Sequence, residues 1–342
     1  MRPASKMLCP MTPCGAAIEA VANQKEPDTM LVGKQAIESL ISEAGEGELS
    51  RSAYWEYESA QFLISADGTI QGDTVLGSIS TKTGFLHAAA HWLLQAPFRY
   101  MGAKYKKIGM MEKLGRTIAR RQSRQFTHDM LRQVLTMALV EHHLGSLADS
   151  TCNLIIGDGF GVLTTLNLMA FPERKTVLIN LVKPLAADLA WIRLVFPDLS
   201  LALVSNREEM AVALGDPKIR LIAVRADDSS LLDEVPIGIA FNVVSMQEMP
   251  LKVIAEYFRV LRVNPAPTTT FYCCNKLWKR MPDGLEISFQ EYPWHIDDEI
   301  IVDTPCHWSQ WIYSSRFPFW HFRRGSKRVI WHRMSRLKKS QP

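Results

Sequence analysis

The chain of 342 residues is 47% hydrophobic and 22% charged, enough for a substantial core in one large domain or two smaller ones. It has no apolar run near the ~20 residues of a membrane span, and "MRPASKMLCPMTPCGAAIEA" lacks the apolar centre of a signal peptide. The net charge of +4 is uneven: nine Lys and Arg residues and no acid follow Asp303, so the remainder is net acidic.

Residues 1–50 mix Pro, Gly and Glu with short helical patches and are expected to be partly disordered, the first ~25 most of all. Residues 51–150 read as a helical accessory region. In "THDMLRQVLTMALVEHHLG", Leu131, Val134, Leu135 and Ala138 share one face, and Gly145 is placed to end the helix. The basic stretch "KYKKIGMMEKLGRTIARRQSR" suits a solvated helix face. His128, Asp129, His142 and His143 are expected as capping or surface residues.

At Thr151 the texture changes. Short apolar runs ("CNLII", "KTVLIN", "LSLALVS", "IRLIAV", "IAFNVVS", "TTTFYCC") alternate with amphipathic helices such as "PLAADLAWIRLVF", which carries Leu185, Leu189, Ile192 and Phe196 on one stripe. Strands separated by helices predict an α/β fold over 151–275, a Rossmann-like, doubly wound and mostly parallel sheet. Ligands of such sheets sit beyond the carboxyl ends of the strands. That places Gly157, Asp158, Gly159, Gly161, Asn180, Asp227 and Ser245 to Glu248 around one crevice. Residues 276–342 are irregular and aromatic, which suits a C-terminal cap with a basic tail. The tail (Arg316 to Lys339, interleaved with Trp320, Phe322 and Trp331) reads as a solvated, partly disordered end, or as a contact to an anionic membrane surface, a nucleic acid or a phosphorylated substrate. Cys9, Cys14, Cys152, Cys273, Cys274 and Cys306 are scattered without metal or disulfide-scaffold spacing, which points to reduced thiols in a cytoplasmic protein.

"NLIIGDGFGVLTTLN" is a buried strand, three alternating glycines and a helix. A dinucleotide fingerprint needs glycine at the third position of Gly-x-Gly-x-x-Gly, where Val162 stands, and the Lys-Ser/Thr of a phosphate-binding loop is absent. Gly157-x-Gly159-x-Gly161 instead matches the first motif of S-adenosylmethionine-dependent methyltransferases. Their cofactor has no phosphate and asks only that backbone approach its amino-acid end closely. A purely structural strand-to-helix turn is the alternative.

With "TVLINLVKPLAADLAWIRLVFPD", "NVVSMQEM" and "FYCCNK…EYPW" added, the stretch from about Tyr54 to Trp308 resembles the sugar O-methyltransferase family, class I S-adenosylmethionine-dependent enzymes. Ser-x-Gln-Glu-Met is the most specific element. The resemblance implies S-adenosylmethionine as methyl donor and a sugar or glycoside hydroxyl as acceptor. Two positions depart from it: Ile155 replaces an acid two residues before the first glycine, and Asn180 replaces the Asp that holds the ribose hydroxyls. Asn180 retains one acceptor without the charge that roughly doubles hydrogen-bond strength, and Asp158 is placed to compensate in part.

Transfer of a methyl group to a hydroxyl needs the oxygen on the attack axis and benefits from a base. Glu248, just after "IAFNVVS", is the expected base, with a carboxylate at a helix start as its structural alternative. His295 and Asp297 are further candidates, with Trp294 offering a face to a sugar ring. Ser245 and Gln247 are candidate ligands to the cofactor or acceptor, or else satisfy backbone groups at the strand end. No set of residues has metal spacing, so no tightly bound metal is expected, with Mg²⁺ arriving alongside a substrate left open. A degenerate, non-catalytic scaffold is the competing reading, favoured by Ile155 and Asn180. A nucleic-acid methyltransferase ranks last, because "SMQEMP" stands where the amino-methylating Asn/Asp-Pro-Pro-Tyr/Phe motif belongs.

Overall fold

The structure is a computed structural model. It describes residues 30–44, 62–64, 70–72, 84–144, 151–314, 317–323, 325 and 328–340, with 62–64 and 70–72 described in backbone only. The expected disorder of the first ~25 residues, the C-cap at Gly145 and the thiols Cys9 and Cys14 lie outside the described residues.

In chain order, the strand β1 (Leu31–Val32) and helix α1 (Gly33–Glu43) come first, then a hairpin, β2 (Phe62–Ile64) and β3 (Ile70–Gly72). The accessory helices follow: α2 (Phe85–Leu94), α3 (Ala96–Gly102), α4 (Ile108–Arg121) and α5 (His128–Leu144). Then the alternation begins, with β4 (Cys152–Ile156), α6 (Val162–Ala170), β5 (Thr176–Asn180), α7 (Val182–Val195), β6 (Leu201–Val204) and α8 (Arg207–Gly215). It continues through β7 (Leu221–Arg225), a 3-10 segment (Ala226–Glu234), β8 (Ile237–Val243), α9 (Leu251–Val263) and β9 (Thr269–Lys276). The rest comprises β10 (Trp278–Arg280), β11 (Glu286–Ser288), β12 (Glu299–Pro305), α10 (His307–Gln310), β13 (Trp311–Tyr313), β14 (Trp320–Phe322) and β15 (Ile330–Leu337).

Nine strands form one sheet in the order β1-β6-β7-β5-β4-β8-β9-β15-β12. The inner six, β6 through β9, are mutually parallel, with Ile155 of β4 between Leu178 and Phe241. Parallel strands are covered on both faces, which is why β4 and β5 are apolar without alternation and buried throughout. One group of helices (α1, α7, α6, α5, α4) packs in succession through side chains such as Leu185, Leu189 and Ile192, while α8 and α9 pack on the 3-10 segment. Each such aliphatic side chain contributes about 1.5–3 kcal/mol by burial. From β4 the chain builds outward to β5 and then crosses back to β8 on the other side, so β4 marks the switch point where such sheets bind ligands. No helix among the described residues is long and apolar enough to cross a membrane. Residues from Leu31 onward form one compact unit, so the helical accessory region and the C-terminal part share the unit of the sheet.

The C-terminal part departs from the expected irregular cap and solvated tail. β15 lies inside the main sheet, antiparallel to β9 on one side and β12 on the other. Its period-two pattern is masked in sequence, because His332 and Ser335 take buried positions beside Ile330, Met334 and Leu337. The basic residues are answered by acids one strand away: Arg333 pairs with Asp303 at 2.6 Å and Arg336 with Glu299 at 2.7 Å. Lys339 donates to Thr269 Oγ1 at 2.8 Å and to the Asn264 carbonyl at 3.0 Å. A sequence rich in Lys and Arg therefore reads as a tail only while its cross-strand partners are unknown.

Candidate active site

The glycine turn joins β4 to α6 with Gly157, Gly159 and Gly161 all in the left-handed region, at φ of 67°, 64° and 63°. Two of them are also sterically obligatory. A Cβ at Gly157 would lie 2.1 Å from Ser245 Oγ, and one at Gly161 would lie 2.7 Å from the Asp188 carbonyl oxygen. Asp158, inside the turn, points back into α6, accepting from Leu163 N at 2.9 Å and Thr164 N at 2.6 Å. It therefore caps that helix, a role that contributes about 0.5–2 kcal/mol. Burial pushes its carboxyl above the ordinary value, while those two N–H groups and Arg124 pull the other way.

Asn180 ends β5 beside the turn, with both ends of its amide engaged. Nδ2 donates to Asp188 Oδ2 at 2.8 Å and Oδ1 accepts from Leu181 N at 2.9 Å. Asp188, fully buried on α7, accepts from Gly161 N through its other oxygen at 2.9 Å. Burial, then the nearby Asp158, raise its carboxyl well above the usual range. The acid missing from the end of the second strand is thus present one layer deeper, beneath the turn, and reaches the strand end only through Asn180. Ile155 lies in the hydrophobic core and has no part in the site.

The "SMQEM" segment is held from below by a buried polar network. Asn242 donates to the Ile156 carbonyl at 2.8 Å and accepts from Met246 N and Asn275 Nδ2. Asn275 in turn accepts from Gln247 N, and Gln247 Oε1 accepts from Lys276 N at 2.8 Å. Gln247 therefore clamps the segment to the end of β9. Val244, a β-branched residue at φ 61°, is the strained link; strain of this kind costs on the order of 1–3 kcal/mol and gathers at functional sites. Glu248 is buried, with Lys279 Nζ 2.7 Å from its Oε1. Burial raises its carboxyl above the usual value, against the pull of Lys279.

These groups open into one cleft of about 630 Å³. Gly157, Asp158, Gly159, Asn180 and Ser245 line one end. His91, His128, Arg132, Lys276, Tyr313 and Arg323 line the rest, and Glu248 also borders a side recess formed with Leu181 and Ala226. Of the crevice expected from sequence, Gly157, Asp158, Gly159, Asn180, Ser245, Gln247 and Glu248 line the cleft, whereas Gly161, Met246 and Asp227 do not, nor does the further candidate His295. Asp227 is exposed at the start of the 3-10 segment, and its neighbour Ala226 reaches the recess in its place. His295 is exposed and lies outside the cleft lining. Its loop is pulled away by Asp298, which accepts from His295 N at 2.8 Å and Lys338 N at 2.9 Å and pairs with Arg262. Trp294 packs against Phe258 and Phe271 with Arg333 over its ring, so its faces are committed to the protein.

His128 is one of several cleft residues that sequence reasoning missed, with His91, Arg132, Lys276, Tyr313 and Arg323. It starts α5, where capping was the expected role, yet it lines the cleft. Burial, then Arg132, lower its pKa to about 3, so the ring is neutral. It hydrogen-bonds the Trp308 carbonyl, while Nε2 is buried with no hydrogen-bond partner among the described residues. Nε2 is the one nitrogen of the ring that nothing among the described residues satisfies. Nearby, Tyr313 OH accepts from Gln95 Nε2 at 3.1 Å and sits 2.6 Å from His91 Nδ1. No group of three or more metal-ligating side chains occurs among the described residues.

No known family's sequence profile matches the chain, and no curated protein matches it. Solved structures share part of its architecture. The methyltransferase CalO6 is 13% identical, over 55% of this chain and 57% of that one, at a TM-score of 0.31. The pyocyanin biosynthetic protein PhzM is 12% identical, over 60% of this chain and 57% of that one, at 0.30. Phosphoethanolamine N-methyltransferase 2 of Haemonchus contortus is 13% identical, over 60% of this chain and 52% of that one, at 0.33. The chain spans little more than half the length of each, and likenesses this distant do not carry an activity over to it.

Proposed function

We propose that the chain is an S-adenosylmethionine-dependent O-methyltransferase acting on a sugar hydroxyl, free or within a glycoside or glycan. The observation that carries the reading is a single cleft with two unlike ends. One end is a turn in which Gly157 and Gly161 leave no room for side chains, at the switch point of a parallel sheet. The rest is lined by the neutral His128 ring, whose Nε2 has no hydrogen-bond partner among the described residues, and by the buried Glu248 carboxylate. The glycine end fits a cofactor without phosphate, because Asp158 already takes the helix N–H groups that a phosphate would seek.

Gly157, Gly159, Ser245 and Asn180 would hold the cofactor, with the recess beside Leu181 and Ala226 adjoining them. Bound there, S-adenosylmethionine supplies an electrophilic methyl group for in-line transfer to oxygen. Glu248 takes the proton the hydroxyl loses, and His128 Nε2 accepts a hydrogen bond from the acceptor and orients it. The buried free thiols Cys152, Cys273, Cys274 and Cys306 fit a reducing cytoplasm.

One observation favours a non-catalytic scaffold: Asn180 spends both ends of its amide inside the protein. Calorimetric titration with S-adenosylhomocysteine, with NADH as control, separates the two. Binding of S-adenosylhomocysteine alone, followed by methylation of a glycoside from a panel, is the expected result. Binding of neither ligand leaves the scaffold reading standing.

A further inference from the structure

The carboxylates lining the cleft are all committed. Asp129 pairs with Arg132, Glu248 pairs with Lys279, and Asp158 caps α6. Two of its cations are not. Neither the Lys276 ammonium nor the Arg323 guanidinium has an ion-pair or hydrogen-bond partner among the described residues, and Arg323 Nε is buried in that state. The segment that carries Arg323, residues 304–342, contains no acid at all.

These charges also feel one another. Burial, then Lys279 and Arg323, hold the Lys276 ammonium below the ordinary lysine value, with Arg328 adding to the effect. Burial, then Arg132, do the same to Arg323, again with Arg328 contributing. Glu248 at Lys276 and Asp129 at Arg323 offset this only in part, and half-buried like charges kept together are costly. The histidines do not add to the surplus, since His91 and His128 are both held toward the neutral form.

We propose that Lys276 and Arg323 form an anion subsite at the acceptor end of the cleft, and that the methyl acceptor is a phosphorylated sugar. A phosphoryl group brings two negative charges and three acceptor oxygens, matching two unpaired cations, one of them a planar fork. Both a sugar monophosphate and a nucleoside-diphosphate sugar carry that chemistry. Naming the anion as part of the acceptor rests on the methyltransferase reading; the subsite itself does not.

The test is calorimetric titration of the full chain, saturated with S-adenosylhomocysteine, using pyrophosphate and inorganic phosphate as probes. Glucose 1-phosphate, UDP-glucose, glucuronate and glucose follow. Pyrophosphate is expected to bind, and to bind more weakly as salt rises. Lys276→Gln and Arg323→Gln should each lower its affinity about tenfold or more and leave S-adenosylhomocysteine affinity unchanged. Tighter binding of glucose 1-phosphate assigns a sugar monophosphate, and tighter binding of UDP-glucose a nucleotide sugar. The proposal is overturned if neither phosphate nor pyrophosphate binds, if both variants bind them as the parent does, or if glucuronate binds as well as glucose 1-phosphate. Should one variant fail to fold, a salt-independent pyrophosphate affinity in the parent overturns it equally. If S-adenosylhomocysteine does not bind while pyrophosphate binding is still lost in the variants, the methyltransferase reading falls and the anion subsite stands.

Discussion

The two ends of the cleft are built in opposite ways. The glycine end is mainly backbone: one strand, one turn and one helix, contiguous in sequence from Cys152 to Ala170, joined by Asn180 and Ser245 from two neighbouring strand ends, with Gly157 and Gly161 essential because a side chain there would strike Ser245 or Asp188. The acceptor end is side chain, gathered from five separate places: His91 on α2, His128 and Arg132 on α5, Lys276 at the end of β9, Tyr313 on β13, and Arg323 just past β14. A backbone site is pre-organised by the sheet that carries it. A side-chain site depends on every element that contributes to it, and so on the integrity of the C-terminal strands. The contrast predicts which perturbations spread through the molecule and which stay local.

The largest effect should come from removing residues 315–342. As a solvated tail, this segment would be dispensable. As β15 it pairs along eight residues with β9 and also carries the β12 pairing, burying Ile330, Met334 and Leu337. The truncated chain is expected to lose cooperative unfolding altogether, as read by circular dichroism on heating. A truncated protein that unfolds cooperatively at the parent temperature would show that β15 is peripheral.

The difference between the two ends also explains how much was legible in the sequence. The parallel sheet showed itself because buried parallel strands are continuous apolar runs, and the turn because three positive-φ positions in a row call for glycine. Ser245, Gln247 and Glu248 were placed at the cleft for the same reason, since a strand end fixes where the next residues stand. Position alone did not disclose their work: Gln247 is a clamp, and Asp158 turns inward as a cap. His295 and Trp294 misled because aromatic and imidazole side chains in a loop look available until Asp298 and Phe258 are known to hold them. His128 and Arg323 were invisible because nothing local distinguishes a helix-starting histidine that meets Trp308 from one that meets water. Long-range pairing made the acceptor end, and a single sequence does not display pairing.

The next effect in size concerns Glu248 and His128, the two groups proposed to meet the hydroxyl. Glu248→Gln keeps the shape and removes the proton acceptor, so kcat should fall by about 10²–10⁴. S-adenosylhomocysteine affinity should stay within about threefold, as judged by calorimetry beside steady-state rates. Glu248 works ionised, and its native pKa lies above the ordinary carboxylate value. Activity should therefore rise with pH through that raised value, and the Gln variant should lose this limb. His128→Gln is expected to be milder, about tenfold, because another acceptor remains in place. His128 should add no limb above pH 5, since its own pKa lies near 3. An unchanged kcat in Glu248→Gln would assign the carboxylate to its ion pair with Lys279 alone.

The smallest and most diagnostic test acts on the joint beneath the glycine turn. Asn180→Asp alone would set a second carboxylate where an amide now donates to Asp188 at 2.8 Å. The two acids would share a proton and titrate as a pair. The native state would hold that proton to higher pH than the unfolded chain, whose carboxylates ionise near 4. Stability should therefore be close to parental at pH 4 and fall as pH rises through the raised native value, by at most about 1.4 kcal/mol per pH unit. Urea denaturation at pH 5 and pH 8 reads the difference. The exchange Asn180→Asp with Asp188→Asn should recover the loss. Asn at 188 can accept from Gly161 N and donate to Asp at 180, which still accepts from Leu181 N, so these three bonds are retained. The exchange also moves the carboxyl from beneath the turn to the cleft wall, where position 180 lies. S-adenosylhomocysteine should then bind about tenfold more tightly, the gain expected from a charge-assisted bond to a hydroxyl. If the exchange restores stability without tightening that binding, Asn180 braces the turn and does not touch the cofactor.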